Sequence, residues 1–239
     1  MSDILCNEPK LGVLGGMGPQ ATQVFYQYVL DRTDASCDQE HLPTLILSDT
    51  LMPDRTQAIL SGNTEPAYQR LLKDAKLLER CGCTTIAIPC NTSHYFVDRL
   101  QQEVSIPIIH MIRETARFLA GNGKRRPGIL ATDGTIQSGL YQKECQAVGL
   151  EAVAPDPEIQ KVVMSVIYDE IKRGEQGSRE KFLQIDRALR AMGCDCAILA
   201  CTELSVFRTY HPMPSFYVDA MQVLAELSVG RCGKQLRNI

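Results

Sequence analysis

Short apolar runs rich in branched residues alternate with longer amphipathic stretches along the whole chain. Eight runs read as strands. Four fall in the first half, at 11–15, 44–48, 85–89 and 106–110, and four in the second, at 127–131, 150–154, 196–200 and 215–218. Between them the period changes from two to about 3.6. In 65–80, Leu71, Leu72, Ala75 and Leu78 fall at helical spacing, and in 178–191 Phe182, Ile185 and Leu189 do the same. Loops rich in Gly and charge, 121–126 and 173–177, punctuate the alternation. Strands separated by helices in this way predict βαβ units and mainly parallel sheets, an α/β fold.

The pattern also repeats. Setting Cys90 on Cys201, an offset of 111 residues, brings Gly82 onto Gly193, Cys83 onto Cys194 and Ile88 onto Leu199. The preceding helices register as well, Leu71 on Phe182 and Leu78 on Leu189. Helix, Gly-Cys turn, buried strand and cysteine thus occur twice. The expectation is two similar lobes related by a pseudo-twofold axis, with a cleft between them. Residues 1–112 form the first and 113–218 the second, and a final helix in 219–239 crosses back onto the first. Each lobe then presents one cysteine at the C-terminal end of a strand, the end where open α/β sheets place their ligands.

Composition narrows the field. At 239 residues the chain is long enough for a sizeable core. A net charge of −3, with only Lys124-Arg125-Arg126 as a basic run, gives no case for nucleic acid. No apolar run approaches the ~20 residues of a membrane span, and the opening MSDILCNEPK lacks a signal-peptide pattern. A cytoplasmic protein is expected. Ten cysteines are many, but a disulfide framework does not suit a chain of this kind. Cys81/Cys83 and Cys194/Cys196 have C-x-C spacing rather than that of a structural zinc site. No metal is expected, and Cys6, Cys37, Cys145 and Cys232 read as reduced packing residues.

Cys90 and Cys201 read differently, because polar residues follow each at once: Asn91, Thr92 and Ser93 after the first, Thr202 after the second. A thiol just before a helix sits in the field of its N-terminus, which favours thiolate. The same N–H groups can hold a carboxylate. Two thiols on opposite walls of a cleft suit the inversion of a carbon acid. One removes the proton and the other delivers a proton to the opposite face, so each must serve as both acid and base.

LGGMGPQAT near the N-terminus, MPDRT at 52–56, PCNTSH around Cys90, ATDGT at 131–135, EIKRG at 170–174 and ACTEL around Cys201 together resemble the aspartate racemase family. That family is part of the cofactor-independent aspartate/glutamate racemase superfamily. The resemblance covers nearly the whole chain and implies racemisation of an acidic amino acid, most readily aspartate, without pyridoxal phosphate or metal, in a homodimer. It implies Cys90 and Cys201 as the catalytic bases, with Asn91, Thr92 and Thr202 holding the α-carboxylate. Arg55 and Lys172 would recognise an acidic side chain, and Met17, Ser93, Thr132 and Thr135 would line the substrate site. Glu203 and Asp54 would be acidic neighbours of the ammonium or the thiols.

Other readings stay open beside it. Arg55 could pair with Asp54 on the surface, Lys172 could answer a helix C-terminus, and His94 and His110 could be structural. Glutamate or a broader range of amino acids would fit the same cysteines. Gly16–Ala21 matches the G-x-G-x-x-A form of a dinucleotide site, which would suit an NAD-dependent oxidoreductase. Against that, Pro19 removes an N–H, and Asp49 lies about thirty residues on rather than ~20. A hydrolase using one cysteine with His94 would leave the other cysteine idle. A non-catalytic amino-acid-binding protein would leave both idle.

Overall fold

The computed structural model describes residues 10–238; Cys6 lies outside them. Two three-stranded parallel sheets form the frame. The first contains β1 (Leu11–Gly15), β2 (Thr44–Ser48) and β3 (Thr85–Ala87) in the order β2-β1-β3. The second contains β4 (Pro127–Leu130), β5 (Cys196–Leu199) and β6 (Tyr217–Asp219) in the order β4-β5-β6.

Two expected strands shrink to single bridges, Ile108 beside Ile86 and Val153 beside Gly128. Pro107 has no N–H to give a ladder, and His110 already leads into helix Met111–Gly121 as its N-cap. Pro155 and the Asp156 cap of helix Pro157–Ser165 end the other run equally soon. With the bridges counted, both sheets carry the same four rows in corresponding places.

Strand alternation sorts the core into three clusters. From β1, Leu11 and Val13 face one cluster and Leu14 another. From β5, Cys196 and Ile198 join the cluster of Leu11 and Val13, whereas Ala197 and Leu199 face a third. The shared cluster also takes Phe25, Met111, Tyr141 and Met221 from four helices, Pro19–Arg32, Met111–Gly121, Leu140–Gln146 and Ala220–Arg231. The inner faces of both sheets therefore drain into one core, and each half has a separate outer core. Helix Ala220–Arg231 lies against the first and second of these helices, with Glu226 paired to Arg32 and Arg231 to Glu114.

The repeat holds in space. A Cβ on Gly12 would stand 3.1 Å from the Cys83 side chain and 3.3 Å from Leu78. A Cβ on Gly128 would stand 3.2 Å from Cys194 Sγ and 2.7 Å from Leu189. In both halves a glycine in the first strand admits the Leu and Cys of the helix–turn unit that follows. Cys83 and Cys194 are thus packing residues at matching positions.

Candidate active site

The outer rows of the two sheets run straight on to the cysteines. Ile86, Ile88 and Cys90 share one outer cluster, and Ala197, Leu199 and Cys201 share the other. The two thiols are about equally buried, at 5% and 6% exposure, and line one pocket. Met17, Asp54, Arg55, Asn91 and Thr92 line it from the first half, and Thr132, Lys172, Thr202 and Glu203 from the second. Its free space is about 10 Å³, room for one water at most. An amino acid enters only if the walls part.

The hydroxyls expected to cap the helices after the cysteines do other work. After Cys90 comes a 3₁₀ segment, Thr92–Phe96, and Cys201 itself occupies the N-cap position of helix Thr202–Tyr210; neither start has a side-chain cap. Thr92 Oγ1 instead lies 3.1 Å from Thr132 Oγ1 and 2.8 Å from Thr135 Oγ1, and Thr56 donates to Thr132 at 3.1 Å. Four threonines from both halves thereby form one hydroxyl net under the pocket. Thr135 and Ser93 stand behind the lining; Ser93 Oγ donates to Met17 Sδ at 3.2 Å. Asn91 Oδ1 accepts from Tyr141 at 2.6 Å, while its buried Nδ2 has no partner among the described residues and is available as a donor.

Each cysteine has its own cation. Arg55 opens helix Arg55–Ser61, whose N-cap Asp54 accepts from Gln57 N at 2.8 Å. Its guanidinium donates to Pro53 O at 2.9 Å and Met17 O at 3.4 Å. Burial opposes the Arg55 charge, but Cys90, Asp54 and Glu203 more than offset it and raise its pKa. So Asp54 is a cap, and Arg55 turns inward rather than to the surface. Lys172, near the αL glycine Gly174 that ends its helix, donates to Glu203. Burial again works against the charge, yet Glu203 and Cys201 carry the ammonium above its ordinary range.

A helix N-terminus is expected to favour thiolate, but the Cys201 thiol goes the other way. Burial first, then Glu203, push its thiol well above the ordinary range, with Lys172 pulling in the opposite sense. The cause is local: Cys201 Sγ donates to Glu203 Oε2 at 2.9 Å.

His94 is buried away from the pocket. Its Nδ1 bonds Cys90 O at 2.9 Å, and its Nε2 accepts from Met111 N at 3.0 Å, which fixes the tautomer. Burial, then His110, push its pKa down to about 3. It ties the Cys90 turn to the start of the next helix. His110 Nδ1 caps that helix by accepting from Arg113 N at 3.2 Å.

Two lining residues escaped the sequence reading, Thr56 and Tyr168. Thr56 ends the MPDRT stretch beside Arg55. Tyr168 lies one turn before Lys172, and its hydroxyl donates to Asp54 Oδ2 at 3.2 Å across the cleft. A π-helical turn, Val166–Glu170, aims it there, and such a turn leaves no mark in apolar spacing.

The dinucleotide alternative has little room. Gly16 has φ +87, and a Cβ on it would stand 2.4 Å from the backbone of Asp49. Its glycine lets the β1 loop lie against the end of β2. The Asp49 carboxylate is itself bound to Arg70.

Comparison with known proteins decides the family. Residues 14–227 match the family model described as Asp/Glu/Hydantoin racemase. The chain belongs to that family. It is 27% identical over 223 residues to the broad specificity amino-acid racemase RacX of Bacillus subtilis, covering 92% of this chain and 96% of that one. The Picrophilus torridus aspartate racemase structure aligns with a TM-score of 0.79 at 28% identity, over 96% of each chain. A Francisella tularensis glutamate racemase in complex with D-glutamate shares the fold, with a TM-score of 0.70 at 17% identity over 95% of this chain and 81% of that one. The expected α/β fold of two small parallel sheets holds, and so does the expectation of an amino-acid racemase, an isomerase.

Proposed function

We propose that the chain racemises an acidic amino acid, aspartate first among them, by proton transfer between Cys90, Cys201 and the α-carbon, without a cofactor. One observation carries this reading: two equally buried thiols, ending equivalent strand rows, line one pocket with a cation beside each. One sulfur takes the α-proton while the other supplies a proton to the opposite face. Asn91 Nδ2 and the backbone N–H groups after Cys201 stabilise the α-carboxylate as charge builds on it. Arg55 and Lys172 favour a second carboxylate, Arg55 through a planar fork.

A broader substrate range is the second reading, supported by the full-length similarity to the Bacillus racemase. Both are tested by incubating L- and D-aspartate in D2O with wild type, Cys90→Ala and Cys201→Ala, following optical rotation and loss of the α-proton signal. The expected result is inversion with exchange in wild type and loss of inversion in both variants. Equal rates on alanine or lysine would transfer the conclusion to the broad reading. A variant that still inverts aspartate would sink the two-thiol mechanism.

A further inference from the structure

The two halves differ at one point that the chemistry should feel. Two residues after Cys90 stands Thr92, a neutral hydroxyl engaged with Thr132 and Thr135. Two residues after Cys201, at the equivalent place in the repeat, stands Glu203. Its carboxyl is 5% exposed and held at both ends: Lys172 donates to Oε1, and Cys201 Sγ donates to Oε2 at 2.9 Å. The bond runs from thiol to carboxylate, so it exists only while Cys201 keeps its proton. A thiolate there would face an anion at van der Waals contact. On the other wall no carboxylate stands two residues after Cys90, and the Arg55 guanidinium lines the pocket with it.

We propose that Glu203 is a positioning residue that fixes where the resting proton of the cysteine pair lies: on Cys201, leaving Cys90 as the base. The inference rests on the two-thiol reading for its meaning in turnover, but its structural content does not depend on that reading. In the first half of a turnover the Cα–H bond breaks and an S–H bond forms on Cys90, leaving the electron pair on carbon. That pair takes the proton of Cys201, whose S–H bond breaks to leave thiolate. The number of protons on the pair is unchanged, but their places are exchanged. The exchanged form sets a thiolate against Glu203 and returns to rest by reverse turnover or proton exchange with water. The site is therefore asymmetric although its frame is repeated, and only one enantiomer meets the resting form directly.

The test reads thiol reactivity without substrate, so it succeeds or fails apart from the racemase reading. Full-length protein is treated with limiting iodoacetamide at neutral pH, and the modified cysteines are located and timed by peptide mass spectrometry. Only thiolate reacts, and the two residues are about equally buried, so the ratio of rates reports where the proton lies. In wild type Cys90 is expected to react at least about tenfold faster than Cys201. Glu203→Gln removes the charge and should raise the Cys201 rate about tenfold while Cys90 is unchanged. Glu203→Asp, which keeps the charge, should restore the wild-type order. A general loosening of the site would speed both cysteines in both variants. Wild-type rates that are equal or reversed would overturn the proposal, as would a Gln variant with the wild-type ratio. The wild-type measurement decides even if a variant fails to fold.

Discussion

Among the described residues, Asp74 is a buried carboxyl with no cation of its own and no donor to its Oδ2. It sits on helix Glu65–Arg80, and the nearby Asp49 takes the guanidinium of Arg70, with Nη2 2.8 Å from Oδ1. Burial first, then Asp49, push the Asp74 pKa from 3.8 up to about 6, while Arg70 and Lys73 pull it down. The hydrogen bond from Arg70 holds Asp49 below its ordinary value, so as pH falls Asp74 takes up a proton before Asp49 does. Because the folded value is raised, the contribution of Asp74 to stability is complete below its unfolded pKa and is lost as pH rises through about 6. Asp74→Asn removes that loss. After allowance for solvent screening it should stabilise the chain by about 1 kcal/mol at pH 8, with little gain at pH 4. Urea unfolding at the two pH values checks this, and an equal gain at both would refute it. At this scale the sequence was uneven. Cys90 and Cys201 were legible because the repeat marks them, and Arg55 and Lys172 because of their motifs. Asp74 was not, since only the fold brings it to Asp49. Nor was the raised Cys201 thiol, because the expected pull of a helix terminus ignored the carboxylate two residues on.

At the scale of elements, the two walls of the cleft meet where helix Arg55–Ser61 crosses helix Asp133–Gln137. A Cβ on Gly134 would stand 2.8 Å from Thr56 Cα, a backbone atom that cannot turn aside. The crossing positions Arg55 on one helix and, through the cap Thr132, the hydroxyl net on the other. Gly134→Ala should therefore push the helices apart, at a cost of about 1–3 kcal/mol. The Michaelis constant for substrate should rise as the walls lose register. Thermal melting together with steady-state kinetics would show it, and unchanged values for both would mean that the crossing yields freely. The ATDGT stretch is legible as a motif, but its glycine has this steric reason, which no pattern of apolar residues encodes. Helix Glu65–Arg80 and strands β1 and β2 follow their apolar spacing closely. The rows at Ile108 and Val153 were overread as strands, because proline and an early cap limit each to one bridge.

At the scale of the whole molecule, the repeat suggests two bodies and the packing argues for one. Lobes with private cores would each bury their own strands. Here Leu11 and Val13 of β1, Ile129 of β4 and Ile198 of β5 share a cluster with side chains of helices Pro19–Arg32, Met111–Gly121 and Ala220–Arg231. Opening either half exposes surface of the other, so the halves should not unfold independently. The same continuity limits how the cleft opens: the strand ends and loops around Gly16, Arg55, Thr132 and Lys172 must shift while the shared core stays packed. Calorimetry distinguishes the two pictures by magnitude. At about 0.7 kcal/mol per residue near 60 °C, the whole chain melts with roughly 160 kcal/mol and half of it with roughly 80. One transition is expected, with the van't Hoff enthalpy matching the calorimetric value for the whole chain. Two peaks, or a van't Hoff enthalpy near half the total, would mean that the shared cluster does not couple the halves. Private apolar patterns were all the sequence could display. Which faces they turn toward each other is decided by the meeting of the two sheets, and that meeting makes one molecule of a repeated chain.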